Sequence, residues 1–160
     1  MLDRELILLV EDDENDALLI QRAFQKSGMR NKLRVVRDGA QAIQYLSAQG
    51  SYANREKNPL PFLVLLDLKM PGVDGFEVLE WLRRESNLKP LLVVVLTSSN
   101  LQTDVDRAYE LGANSYLVKP VEFEEMSHLI QRFEAYWTEI NRTLPPQRIP
   151  EAVQPQTTLV

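Results

Sequence analysis

The sequence predicts an α/β fold, a (βα)5 doubly wound sheet of five parallel strands with an extended last helix. Three observations carry this. Short apolar runs recur at 6–10, 33–36, 62–66, 91–96 and 115–118. The run at 62–66 does not alternate polar with apolar residues, the pattern of a strand buried on both faces. Segments with helical spacing separate the runs, and strands alternating with helices pair in parallel through right-handed crossovers.

Taken in order, helix one follows Asn15, carries Leu18, Leu19, Ala23 and Phe24, and stops near Gly28. Helix two runs from about Gly39 to Ala48 and buries Ile43 and Leu46. A polar stretch, 47–61, leads to strand three and exceeds the about two to six residues usual for such a connection. Helix three begins near Asp74 and carries Phe76, Leu79 and Leu82. Helix four spans about 101–111 and ends at Gly112, a C-cap glycine. Helix five starts after Pro120 and continues to about Asn141. The last segment, 143–160, holds four of the nine prolines without periodicity, so it reads as an extended tail or arm on a domain of residues 1–142, with no effector domain of its own.

Composition narrows the chemistry. No cysteine is present, which excludes disulfides, thiolate nucleophiles and Cys-type zinc sites, and the single His128 excludes multi-histidine metal sites. The net charge is −5, and no Lys/Arg stripe with interleaved aromatics occurs, so a nucleic-acid partner is not expected. No apolar run approaches the ~18 residues of a membrane span, and the first residues lack a signal peptide's basic start and long apolar stretch. A cytosolic protein with no membrane contact is the expectation.

Sites in open α/β sheets form beyond the carboxyl ends of the strands. Strand one is followed there by Glu11, Asp12 and Asp13, and strand two by Arg37 and Asp38. Strand three ends in Asp67, strand four in Thr97 and Ser98, and strand five in Lys119 and Pro120. Alone, the first acids would be helix-capping carboxylates, Thr97 a strand-end hydroxyl and Lys119 a solvated cation. Asp67 differs, because it terminates five apolar residues and a buried charge must be delivered to a partner. Crowded carboxylates raise each other's pKa, and Mg²⁺, which takes oxygen ligands, resolves that crowding. Thr97 and Lys119 suit phosphoryl oxygens, and Asp67 is the central carboxylate able to form an aspartyl-phosphate.

The stretches "LLVEDDEND", "LLDLKMPGVDG", "VVVLTSS" and "GANSYLVKP", in this order, resemble the response-regulator receiver domains of two-component signalling. The resemblance covers about residues 6 to 142 and implies the flavodoxin-like strand order 2-1-3-4-5. It implies that Glu11 and Asp12 hold Mg²⁺ together with Asp67, the phosphoacceptor, and the backbone carbonyl of Lys69. Asp13 is then the extra acid. It further implies that Thr97 and Lys119 contact the phosphoryl group, that Lys119–Pro120 is a cis peptide bond, and that Tyr116 is an aromatic switch. Lys69 and Ser99 stand where the family tunes loss of the phosphate. "GSYAN", "LTSSN", "YELGAN" and the late "YW" resemble the single-domain, phytochrome-associated Rcp-type regulators. The implied partner is a sensor histidine kinase, a bacterial phytochrome, which docks by helix one. The implied output is a changed surface on helix four, strand five and helix five, with self-catalysed phosphorylation and dephosphorylation but no enzymatic purpose.

Output then rests on protein contact. Leu129, Phe133, Tyr136, Trp137 and Ile140 form an apolar stripe on helix five. Leu129 and Phe133 suit the domain's own core. Tyr136, Trp137 and Ile140 should pass the sheet, and with Leu144 and Ile149 of the arm they are expected to pack on a second copy in a homodimer. His128 reads as a plain helix residue rather than a phosphorylated histidine. Three rivals remain: a phosphatase using an aspartyl-phosphate, disfavoured because Lys69 stands where Asp-x-Asp enzymes place a second acid; a receiver-like interaction module that is never phosphorylated; and a flavodoxin-like cofactor binder, disfavoured by the absence of a Gly-rich loop after strand one.

Overall fold

The computed structural model describes residues 2–85 and 87–142, with side chains from Glu5 onward. Five parallel strands, β1 (Leu2–Val10), β2 (Lys32–Val36), β3 (Leu60–Leu66), β4 (Leu92–Thr97) and β5 (Ser115–Val118), form one sheet in the order β2-β1-β3-β4-β5. The helices between and after them are α1 (Glu14–Ser27), α2 (Gly39–Leu46), α3 (Gly75–Arg84), α4 (Gln102–Glu110) and α5 (Phe123–Glu134). The proline-rich segment 143–160, and with it Leu144 and Ile149, lies outside the described residues.

The central strands carry apolar side chains on both faces because helices cover both. Leu8, Val10, Val64, Leu66, Val93 and Val95 face a core shared with α2, α3 and α4. Ile7, Leu9, Leu63, Leu65, Val94 and Leu96 face a core shared with α1 and α5. A strand buried on both sides ends where a polar residue becomes tolerable, which is at the sheet edge.

Within the helices, several expectations shift by one face or one turn. In α1 the buried residues are Ala17, Ile20, Ala23 and Phe24, while Leu18 is 46% exposed and Leu19 half-buried. The inward stripe is set by the spacing 17-20-24 and passes through an alanine rather than the neighbouring leucine. The helix starts one residue before Asn15, because the Asp13 carboxylate caps it. In α2, Tyr45 and Leu46 are buried and Ile43 is only half-buried. The Tyr45 hydroxyl donates to the Pro59 carbonyl at 2.8 Å, so the ring is buried with its polar end satisfied. α4 stops at Glu110, and Gly112 at φ 101° turns the chain, a conformation that favours glycine.

The long connection before β3 is ordered. It contains a 3₁₀ turn, Gly50–Tyr52. The Arg55 guanidinium donates to the carbonyls of Tyr45, Leu46 and Asn58 at 2.6–3.1 Å, satisfying the last carbonyls of α2. α5 does not continue as an α-helix to Asn141. It passes into a π-helical stretch, Ala135–Ile140, at which the Asn141 amide bonds Tyr136 O at 2.6 Å.

Candidate functional site

Parallel register brings the strand ends level. Val10 lies opposite Val36 and Leu66, Leu66 opposite Val95, and Thr97 opposite Val118. The next residues therefore emerge at one edge: Glu11 and Asp12, Asp67, Thr97 itself, and Lys119. The ladders extend one step further, from Asp67 N–H to Val10 O at 3.1 Å and from Lys119 N–H to Thr97 O at 2.7 Å. Behind Asp67 the start of α3 comes so close that a Cβ on Gly75 would lie 2.2 Å from the Asp67 carbonyl oxygen. Glycine is required there by close approach, with no positive φ involved.

Glu11, Asp12 and Asp67 each offer a carboxylate oxygen, all within 4.8 Å of one another. Glu11 and Asp67 are buried and Asp12 is half-buried. Asp13 turns away to accept from the Asp16 N–H at 2.9 Å as the cap of α1. Lys119 Nζ lies 2.7 Å from Glu11 Oε2, 2.9 Å from Asp16 Oδ2 and 3.5 Å from Asp67 Oδ2. Asp67 Oδ1 and Thr97 Oγ1 are buried without a hydrogen-bond partner. Asp16 is a member of this group that strand-end reasoning does not reach. It sits in the first turn of α1, and its partner is 103 residues away.

Burial, reinforced by the Asp67 charge, pushes the Glu11 carboxyl up to about 7, against the pull of Lys119. Burial alone would lower the Lys119 ammonium, but hydrogen bonds to Glu11 and Asp16 and the charge of Asp67 outweigh it and hold the pKa well above the ordinary lysine range. Glu11, Asp16 and Asp67 thus face one cation, while Asp67 Oδ1 and Thr97 Oγ1 stay unpartnered. A buried acceptor without a partner is costly, and the donor set, carboxylate oxygens only, fits a hard divalent cation such as Mg²⁺.

Because Glu11 must lose its proton before it can serve a cation, cation affinity should depend on pH. Below about 7 the apparent affinity for Mg²⁺ should fall by up to about tenfold per pH unit, and above about 8 it should be flat. Calorimetric titration across pH 5.5–8.5 checks this, and Glu11→Gln should abolish the slope.

The other expected residues are placed as follows. Tyr116 is half-buried and its hydroxyl donates to the Ser99 carbonyl at 2.8 Å; burial is the main cause that raises its phenol pKa. Lys69 lies two residues past Asp67, with its ammonium 3.1 Å from Asp104 Oδ2. Asp104 also accepts from Ser99 Oγ at 2.6 Å, which is the chief reason its carboxyl titrates below the usual range. The Lys119–Pro120 bond is trans, not cis. Trans is the ordinary preference of an X–Pro bond, and with it the Lys119 N–H and ammonium already reach Thr97 and Glu11. Trp137, expected beyond the sheet, packs half-buried against the core shared by α1 and α5, on the same helical stripe as Met126, Ile130 and Phe133. Tyr136 and Ile140 are exposed, at 50% and 65%. His128 lies exposed on α5. Among the described residues no helix is long and apolar enough to cross a membrane.

Comparison with known proteins gives the same architecture. The model of the response regulator receiver domain matches residues 7–131. The probable methanogenesis regulatory protein FilR2 of Methanothrix harundinacea is 41% identical over 90% of this chain and 90% of its own length. Response regulator Rcp1 of Synechocystis is 40% identical over 84% of this chain and 90% of its own; its Mn²⁺-bound crystal structure aligns with a TM-score of 0.78 at 38% identity, over 88% of this chain and 99% of that one. The crystal structure of the phosphorylated cyanobacterial phytochrome response regulator RcpA aligns with a TM-score of 0.82 at 34% identity, over 89% of this chain and 100% of that one.

Proposed function

Because this chain belongs to the response-regulator receiver family, similar to the Rcp-type regulators, we propose that it is a phosphorylation switch in which Asp67 accepts a phosphoryl group from a sensor histidine kinase. The observation that carries this is the unpartnered, buried Asp67 Oδ1, set among Glu11 and Asp12 and beside the cation of Lys119.

An Asp67 oxygen attacks the phosphorus of the donor. The P–N bond to the kinase histidine breaks, and the imidazole leaves with the electron pair and takes a proton from water. A Mg²⁺ ion held by Glu11, Asp12, Asp67 and the backbone carbonyl of Lys69 would neutralise charge on the phosphoryl oxygens. The added charge on Asp67 draws the Lys119 ammonium away from Glu11 and Asp16 and gives the free Thr97 hydroxyl an acceptor. As Thr97 moves, Tyr116 exchanges its bond to Ser99 for an inward position. Phosphorylation shifts the population between two arrangements because Lys119 and Thr97 contact the phosphate in only one.

Exposed Leu18 on α1 offers an apolar anchor to the kinase. Exposed Leu101, Tyr109, Val118 and Val121 lie on or beside α4, β5 and α5, the surface that changes. Tyr136 and Ile140 suit contact with a second copy, and an unchanged sedimentation coefficient for Tyr136→Ala with Ile140→Ala would remove that contact. The chain acts in the cytosol and turns over no separate substrate. RcpA, described as a phytochrome response regulator, supports a phytochrome as the kinase.

Transfer of label from an autophosphorylated phytochrome kinase tests the function. The wild type should take the label rapidly when Mg²⁺ is present, Asp67→Asn should take none, and a kinase of another input class should transfer more slowly. Equal labelling of Asp67→Asn would overturn the assignment.

A further inference from the structure

Asp104, in the first turn of α4, is buried, with its side chain only 12% exposed. A solvated acid would need no more explanation than the positive end of the helix dipole. A carboxylate this buried must be held by partners, and both come from the loops that flank Asp67. Ser99 Oγ, from the loop after β4, donates to Asp104 Oδ2 at 2.6 Å. Lys69 Nζ, from the loop after β3, lies 3.1 Å from the same oxygen. The Lys69 ammonium also rests 5.6 Å from the Phe76 ring centroid, a ring that Arg107 covers at 4.2 Å. Ser99 in turn accepts the Tyr116 hydroxyl on its carbonyl. One carboxylate thereby ties the acceptor loop, the loop beyond Thr97 and the aromatic of β5 together.

Geometry and charge point to Asp104 as a positioning residue for phosphoryl uptake: it keeps the Lys69 ammonium paired against Phe76 and the Ser99 loop in place, and so sets how strongly an anionic phosphodonor is drawn to Asp67. This rests on Asp67 being the acceptor. The pair is electrically neutral as it stands. Removing the charge of Asp104 leaves a positive group two residues from the acceptor, and unpaired charge at the mouth of a site changes the encounter rate of charged ligands. Removing the charge of Lys69 leaves a negative group and has the opposite sign. A role confined to packing gives neither sign.

The test follows formation of the phosphoryl adduct by intact mass, with acetyl phosphate and Mg²⁺, as a second-order rate constant. Asp104→Asn keeps an oxygen for Ser99 and removes the charge. At low ionic strength it should react about threefold to tenfold faster than the wild type. The gain should vanish near 1 M salt, where the Debye length is about 3 Å. Lys69→Met, at an exposed side chain that leaves the backbone carbonyl in place, should react several-fold more slowly. In the Lys69→Met background, Asp104→Asn should bring the rate back to about the wild-type value, since the double variant is locally neutral like the intact pair. An unchanged or slower Asp104→Asn at low salt, or a double variant as slow as Lys69→Met alone, overturns the proposal. If the wild type takes no phosphoryl group, the acceptor reading falls as well. If the wild type is labelled and Asp104→Asn matches it, only the role of Asp104 falls.

Discussion

Replacing Lys119 with methionine should lower stability in the presence of a chelator by about 3–5 kcal/mol, the cost of leaving buried charges without their partner. The side chain of Lys119 is 6% exposed and lies within 3.5 Å of three carboxylates, those of Glu11, Asp16 and Asp67. Asp16 can turn to water, being 42% exposed, but Glu11 at 1% cannot. The loss should be greatest above pH 7. A carboxyl whose folded pKa lies above its unfolded value contributes stability that is present below the unfolded pKa and lost as pH rises through the folded one. For Glu11 that window runs from 4.5 to about 7 in the wild type, and removing Lys119 moves its upper limit higher. The gap between variant and wild type should therefore narrow toward pH 5. Saturating Mg²⁺ should narrow it too, because a cation that binds only the folded state stabilises it by mass action. Thermal unfolding with chelator and with Mg²⁺, at pH 5 and pH 8, checks all three statements. Equal melting temperatures for variant and wild type at pH 8 in chelator would remove Lys119 from the electrostatic account.

The second large effect concerns Arg83, which is far from the acids. Its guanidinium, at the end of α3, donates to the carbonyls of Lys89, Leu91 and Gly112 and to Asn114 Oδ1 at 2.7–2.9 Å. It thereby ties α3 to the segment that leads into β4 and to the turn that leads into β5. The Asn114 side chain passes the tie on, its Oδ1 accepting from the Val93 N–H at 2.8 Å. Charge-assisted bonds to carbonyls contribute about 1.5–3 kcal/mol each when not replaced by water. Some of these carbonyls can be rehydrated, so Arg83→Ala should cost about 3 kcal/mol, or roughly 6–12 °C in melting temperature. Arg83→Lys should recover less than half, because a point cation cannot span the same acceptors. Gly112 completes the contact: at φ 101° a Cβ would be strained, and it would meet the Arg83 Cγ and Nε at 2.9 Å. A loss under about 1 kcal/mol for Arg83→Ala would show that the network is solvated in solution.

The fold and the set of strand-end residues were legible for a common reason. A parallel sheet buried on both faces must be written in apolar runs, and the runs end where the sheet ends. Level register then converts sequence position into neighbourhood, which is why Glu11, Asp12, Asp67, Thr97 and Lys119 could be read together as one group. What was not legible lies on helices and depends on partners distant in sequence. Asp16 meets Lys119 across 103 residues, and Arg83 meets Asn114 across 31. Asp104 looks like an ordinary first-turn acid until its burial is known. The faces of α1 and α2 differ from the expectation where the small Ala17 or the more polar Tyr45 takes the inward position and an aliphatic residue nearby, Leu18 or Ile43, is left more exposed. Trp137 lies half-buried over the domain's own core, which the expected helix length beyond the sheet does not reveal.

The central claim is that Asp67 accepts a phosphoryl group within a cation-binding acid cluster. Intact mass after incubation with acetyl phosphate and Mg²⁺ tests it most directly, with the wild type, the wild type in chelator and Asp67→Asn side by side. The account predicts a single phosphoryl adduct on the wild type with Mg²⁺ and none in the other two samples. An adduct that survives Asp67→Asn or forms equally in chelator, or no adduct on the wild type at all, would contradict it.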